Sequence, residues 1–311
     1  MTDEVEVKQP RLIGHIAIDR VKELREQQKN PDLFRPVSTG LTDLDTLIGG
    51  LPRAKPFMLV ILAKEKIGKT TLGLKLAANW AEQVPEGCIY FGLEEQDYEL
   101  ADRYLADLGN ISRKKMFMLN LSDMDLDIME SVAYRMVETH KLYIQDEIFS
   151  FGMMVKQMKV LGVKLAWIDN FHLMDRLKIP GSNDREKLEN LSRKIAQVRN
   201  THKLSFGVLA QEGEEGKGFA SHQINRDANI ICSIEPMYMS QSDEQRRRKE
   251  PPEEFNMLRQ ITVRRSRAVP PGICEVAFDG DHSRIGDIKV KKIDLNSPTF
   301  FTDVEGGEVL T

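Results

Sequence analysis

From residue 39 onward the apolar residues of this chain fall into two kinds of run: short unbroken stretches, and longer ones with helical periodicity. The unbroken stretches predict buried strands at 57–63, 88–93, 165–169, 204–210, 228–234, 260–265 and 273–278. The periodic stretches predict helices over 69–83, 97–108, 124–139, 150–161 and 184–201. Strands and helices in alternation argue for an α/β fold, a mostly parallel twisted sheet with helices on both faces. Only residues 266–272 separate the last two strands, and they contain Pro270-Pro271-Gly272, so a C-terminal antiparallel edge hairpin is expected.

Upstream, Leu12, Ile13, Ile16, Ala17, Val21 and Leu24 recur at helical spacing and predict one amphipathic helix over about 12–28. The stretch Asn30-Pro31-Asp32-Leu33-Phe34-Arg35-Pro36 ends it and reads as a linker. The apolar stripe of that helix must be covered either by its own domain or by a neighbouring subunit. This divides the chain into a segment 1–38 with a polar, disordered start, a body 39–299, and a tail 300–311. Within the body, residues 240–254 carry almost no apolar side chain and are expected to form a mobile, charged surface loop.

Composition narrows the class. With 311 residues, 41% hydrophobic, 30% charged and no apolar run near membrane-spanning length, the chain reads as soluble and cytoplasmic, with no membrane partner. The start Met1-Thr2-Asp3-Glu4 is acidic where a secretory leader is basic. A formal charge of −4 excludes a uniformly basic surface, so any nucleic-acid contact must come from local loops. Cys88, Cys232 and Cys274 sit in apolar runs without metal-ligand spacing and read as buried, reduced thiols.

The candidate chemistry begins where the first strand ends. Ala63-Lys64-Glu65-Lys66-Ile67-Gly68-Lys69-Thr70-Thr71 joins a strand to a helix and closes in Gly-Lys-Thr. Such a loop aims backbone N–H groups and the positive helix end at phosphates, with Lys69 neutralising the β- and γ-phosphates of ATP and Thr70 holding Mg²⁺. Ala63 stands where glycine is usual, and an ordinary turn with a solvated lysine is the alternative. Ligands of a parallel sheet bind beyond the strand carboxyl ends, which makes polar residues there informative. Glu94 is placed to accept a proton from water, whereas Glu95 reads as a helix-start acid. Asp169 closes an apolar strand, as expected of a carboxylate that orients Mg²⁺ through water, and Gln211 closes another, where an amide can sense the γ-phosphate. Arg264-Arg265-Ser266-Arg267 lies at the hairpin bend, from which an arginine can reach a neighbour, although taken alone the run reads first as a solvated basic turn.

Taken together and in order, these segments resemble the C-terminal, RecA-like motor domain of the DnaB-type replicative helicases. Thr39-Gly40-Leu41-Thr42-Asp43-Leu44-Asp45 with Gly49-Gly50-Leu51, the Ala63 loop, Phe91-Gly92-Leu93-Glu94, Ile168-Asp169-Asn170-Phe171-His172-Leu173-Met174, Asn190-Leu191-Ser192-Arg193-Lys194, Val208-Leu209-Ala210-Gln211 and Arg265-Ser266-Arg267 with Pro271-Gly272 carry the resemblance. It implies a RecA-like P-loop NTPase that binds ATP and Mg²⁺, forms a ring, commonly hexameric, and acts as a helicase on single-stranded DNA in replication. It also implies that Glu94 is the catalytic glutamate, that Arg267, assisted by Arg265, enters the neighbouring subunit's ATP site, and that helix 12–28 docks on the adjacent protomer. A primase or a helicase loader is the further partner it suggests.

Three features depart from the pattern. The family's N-terminal helical domain is expected to be absent, since only residues 1–11 precede the helix. The loop 212–221 is short and acidic where the family grips DNA phosphates, leaving Gly216, Lys217 and Gly218 as the candidate DNA contacts. His172 replaces a usual glutamine. These departures keep open a helicase-binding accessory protein that does not unwind DNA, and, more remotely, a recombinase-like ATPase.

Overall fold

Met58, Val60 and Leu62 face one way along the first strand and Leu59, Ile61 and Ala63 the other, and all six are buried. A strand buried on both faces requires cover on both, and in this computed structural model two apolar clusters supply it, one on each side of a single sheet. Described are residues 10–148, 150–173, 179–212, 222–237, 258–266 and 269–288.

The elements are α1 (Ile13–Lys29), a 3₁₀ turn (Pro31–Leu33), α2 (Thr42–Ile48), β1 (Met58–Ala63), α3 (Lys69–Gln83), β2 (Cys88–Gly92), α4 (Asp97–Gly109), α5 (Arg113–Phe117), α6 (Asp123–Thr139) and β3 (Leu142–Gln145). There follow α7 (Phe151–Leu161), β4 (Leu165–Asp169), α8 (Asp184–His202), β5 (Ser205–Gln211), α9 (His222–Asp227), β6 (Ile230–Pro236), β7 (Leu258–Ser266), β8 (Gly272–Asp279) and β9 (Arg284–Asp287). The sheet has nine strands in the order β3-β2-β4-β5-β1-β6-β7-β8-β9. Its first six are parallel, and β7, β8 and β9 are antiparallel. The expected hairpin of β7 and β8 therefore forms, with β9 extending the antiparallel edge by one strand.

Local sequence explains the helix boundaries near the site. In α4, Gln96 and Glu99 form a reciprocal capping box, Ser122 and Asp125 do the same for α6, and Asn183 caps α8. Gly207 lies in mid-strand because the Trp167 ring of β4 fills the space where a side chain would stand: a Cβ there would meet it at 2.2 Å. All three cysteines are free and buried, as expected. In contrast, α1 has no buried residue, and Leu12, Ile13, Val21 and Leu24 of its stripe remain exposed. The expected loop at 240–254, the chain start 1–9 and the tail 300–311 lie outside the described residues.

Candidate functional site

The carboxyl ends of β1, β2, β4 and β5 meet at a cavity of about 460 Å³ lined by Lys64, Glu65, Lys66, Gly68, Lys69, Thr70 and Thr71, and also by Glu94 and Gln211. Its floor is the turn from β1 into α3. Lys66 and Gly68 take positive φ there, 60° and 109°, and Gly68 forms the left-handed N-cap of the helix. Glycine is required at 68 for a second reason: a Cβ would lie 2.4 Å from the Phe278 ring of β8.

Beneath the turn is Asp169, buried at the end of β4. One of its oxygens, Oδ2, accepts hydrogen bonds from Thr70 Oγ1 at 2.7 Å and Tyr90 OH at 2.8 Å. The other, Oδ1, is buried with no hydrogen-bond partner, and Lys69 Nζ is 3.7 Å from it. Burial pushes the Asp169 pKa up, against the opposing pull of Lys69, Thr70 and Tyr90. A carboxylate oxygen without a donor, a neighbouring hydroxyl and a lysine at a helix N-terminus fit a hard divalent cation and the phosphates it accompanies.

The rim is equally connected. Glu94 accepts from Asn170 Nδ2 at 3.3 Å. Glu95, which also lines the cavity, is engaged by the Arg103 guanidinium, whose Nε donates to Oε2 at 2.6 Å, and it lies one residue before the Gln96 N-cap of α4 rather than in the helix start expected. Gln211 Nε2 donates to Glu65 Oε1 at 2.8 Å across the cavity mouth, and its backbone N–H donates to His172 Nδ1 at 3.1 Å. Nδ1 also lies 3.2 Å from Asn170 Oδ1, so whether it accepts from Gln211 or donates to Asn170 follows the tautomer. Burial, with the nearby Lys69 charge, depresses the His172 pKa to about 4.

Several residues at the site had no sequence signal. Tyr90 reads as one more apolar position of β2, yet its hydroxyl orients Asp169. Arg259, buried on β7, donates through Nε to the Ile67 carbonyl at 3.0 Å and stacks over Phe278, with its guanidinium carbon 4.5 Å from the ring centroid. It thereby holds the phosphate-loop backbone from behind. Arg103, Asn170 and Phe278 line the cavity as well. Arg265 is exposed at the end of β7 and is not among the cavity-lining residues of its own chain. Arg267, Gly216, Lys217 and Gly218 lie outside the described residues. Glu212, read from sequence as the first residue of a phosphate-repelling loop, is instead buried and paired with Arg264.

The DnaB-like helicase C-terminal domain family profile matches residues 36–215, more than half of the chain. The chain is 24% identical over 237 residues to a probable plasmid replicative DNA helicase of Chlamydia trachomatis, which covers 71% of this chain and 52% of that protein. It is 23% identical over 281 residues to the replicative DNA helicase DnaC of Bacillus subtilis, covering 84% and 59% respectively. The chain thus spans little more than half the length of these relatives. Among solved structures, an ATPase domain superimposes with a TM-score of 0.71 at 18% identity, covering 90% of this chain and 100% of that one. A DnaB-like replicative helicase, described with its interactions with primase, gives 0.69 at 18% identity over 91% of this chain and 68% of its own. These superpositions establish the RecA-like α/β fold. Among the described residues no helix is long and apolar enough to cross a membrane.

Proposed function

This chain belongs to the DnaB-like helicase C-terminal domain family, and on that premise we propose that it is an ATP-hydrolysing ring motor that moves on single-stranded DNA during replication. The observation that carries this reading is the convergence of Lys69, Thr70 and buried Asp169 beneath a cavity whose mouth holds Glu94 and Gln211.

The backbone amides of 64–70 and the N-terminus of α3 bind the phosphates, and Lys69 neutralises the β- and γ-oxygens. Thr70 directly and Asp169 through water would hold Mg²⁺, which supplies further charge neutralisation at those oxygens. Glu94 accepts the proton of the attacking water as its oxygen bonds to the γ-phosphorus. The bridging P–O bond then breaks and ADP leaves. Gln211 exchanges its contact with Glu65 for one with the γ-phosphate. Arg267, assisted by Arg265, comes from the next subunit and stabilises the charge of the transition state, an effect worth roughly 10³–10⁵ in rate for arginines of this kind. The protomers form a ring, commonly hexameric. Gly216, Lys217 and Gly218 are the proposed contacts to DNA phosphates, and a primase or a loader is the proposed protein partner.

ATPase assays with and without single-stranded DNA, paired with the mass of the assembly in ATP, test this reading. Lys69→Ala is expected to abolish hydrolysis, and Arg267→Ala to abolish it while leaving nucleotide binding largely intact. Full hydrolysis by an isolated Arg267→Ala monomer refutes the shared site. Lack of stimulation by single-stranded DNA at every salt concentration favours a helicase-binding accessory protein.

A further inference from the structure

At the end of β5, two successive residues send their side chains to different partners. Gln211 reaches Glu65 at the cavity mouth. Glu212 donates its backbone N–H to the Ala63 carbonyl at 2.9 Å, at the root of the phosphate loop, and its side chain, only 7% exposed, accepts from Arg264 Nη1 at 2.7 Å. The same guanidinium donates through Nε to Ser233 Oγ at 2.9 Å and through Nη2 to Glu235 Oε1 at 3.0 Å. Ser233 donates in turn to Glu235 at 3.0 Å. Arg264 therefore reaches from β7 past β6 to Glu212, which follows β5 and is held against the end of β1, and three separate acceptors fix its fork.

The backbone of β7 is shaped for this. Ile231 pairs with Arg265 and Cys232 with Val263, so Arg264 is the extra residue of a bulge between β6 and β7. A bulge re-aims a side chain and alters the local twist. Here it turns Arg264 toward Glu212 immediately before Arg265. A carboxylate as buried as Glu212 is costly without its cation, so the pair resists separation.

We infer that Glu212 and Arg264 are positioning residues, an ion pair that ties the nucleotide-sensing end of β5 to the arginine-bearing end of β7. It sets where the arginines offered to the neighbouring subunit lie, and any displacement of Gln211 by nucleotide reaches them through the adjoining peptide and this pair. The inference rests on the shared-site reading above.

Its test is steady-state ATPase kinetics on the full chain, with binding of a fluorescent ATP analogue measured alongside. Because a displacement of about 1 Å costs on the order of 10²-fold in rate, Arg264→Ala is expected to lower kcat by about 10–100-fold. KM and analogue affinity should stay close to wild type. Arg264→Lys should restore part of the rate. Glu212→Gln, which keeps shape and hydrogen-bonding capacity, should give the same signature more weakly and serves if the alanine variant fails to fold. Mixing Arg264→Ala with Lys69→Ala protein should restore turnover, because the second subunit offers an intact β7 end to the intact nucleotide site of the first.

Wild-type kcat in folded Arg264→Ala and Glu212→Gln overturns the inference. So does a loss that mixing leaves unchanged, since that places the effect within one subunit. If the wild-type chain hydrolyses no ATP under any condition, the shared-site reading itself falls. Active wild type with silent variants removes only the ion-pair device.

Discussion

Replacing Arg259 with methionine removes the clamp behind the phosphate loop while keeping an unbranched apolar side chain at a buried position. The charge-assisted hydrogen bond from Nε to the Ile67 carbonyl is worth about 1.5–3 kcal/mol. The stacking of the guanidinium on Phe278 adds about 1–2 kcal/mol in a desolvated setting. Methionine recovers up to about 1 kcal/mol through its sulfur on the same ring. The net loss is therefore about 1.5–5 kcal/mol, which at roughly 2 °C per kcal/mol for a domain of this size lowers Tm by roughly 3–10 °C. Because Ile67 immediately precedes Gly68, part of that loss is re-ordering of the loop that must be repeated on binding. If 2 kcal/mol of it falls there, affinity for an ATP analogue weakens by about 30-fold. Calorimetric melting and analogue titration measure the two quantities on one sample. A Tm within about a degree of wild type and an affinity within about twofold refute the clamp. A lower Tm with unchanged affinity assigns Arg259 to strand packing alone.

Three further outcomes are expected. His172 has a folded-state pKa near 4 against an ordinary 6.5, so its contribution to stability is full above pH 6.5 and is lost as pH falls toward 4, at most about 3 kcal/mol and less after solvent screening. Denaturant unfolding from pH 7 to 4.5 should show that loss in wild type and not in His172→Gln, and parallel curves disprove it. Asp169 is the opposite case: its carboxyl is raised above 3.8 by burial, so it lowers stability as pH rises through and beyond that value. Asp169→Asn should therefore melt at or above the wild-type temperature without nucleotide while losing Mg²⁺-dependent ATP hydrolysis, and a clear fall in Tm would show that the carboxylate is net stabilising. Gly207→Ala places a Cβ 2.2 Å from the Trp167 ring, and overpacking of this kind costs about 1–3 kcal/mol. A Tm equal to wild type would mean that the Trp167 ring shifts freely.

The strands with unbroken apolar runs were legible because burial on both faces leaves no polar position to confuse them. β1, β2, β4 and β5 all begin and end within a residue or so of where the apolar runs do. β3 and β9 were not legible, since each has only four residues, is partly exposed at a sheet edge, and owes its state to the strand beside it. The short helices α2, α5 and α9 escaped for the same reason, having too few turns to show a period.

The candidate nucleotide loop, Glu94, Asp169 and Gln211 could be nominated from the sequence, and the fold brings them together, because a phosphate-loop pattern and a strand-terminal acid are local features within a few consecutive residues. The partners that orient them come from far along the chain. Tyr90 meets Asp169 across 79 positions. Arg259 meets Ile67 across 192 and Arg264 meets Glu212 across 52. Nothing in the spacing of those residues encodes the meetings, which depend on the sheet order β4-β5-β1-β6-β7 and on one bulge in β7. Local pattern thus established the α/β class and nominated the residues proposed to carry the chemistry. Packing of the folded sheet decided which side chains hold that chemistry in place, because hydrogen bonds and ion pairs act over a few ångströms of space whatever the distance along the chain.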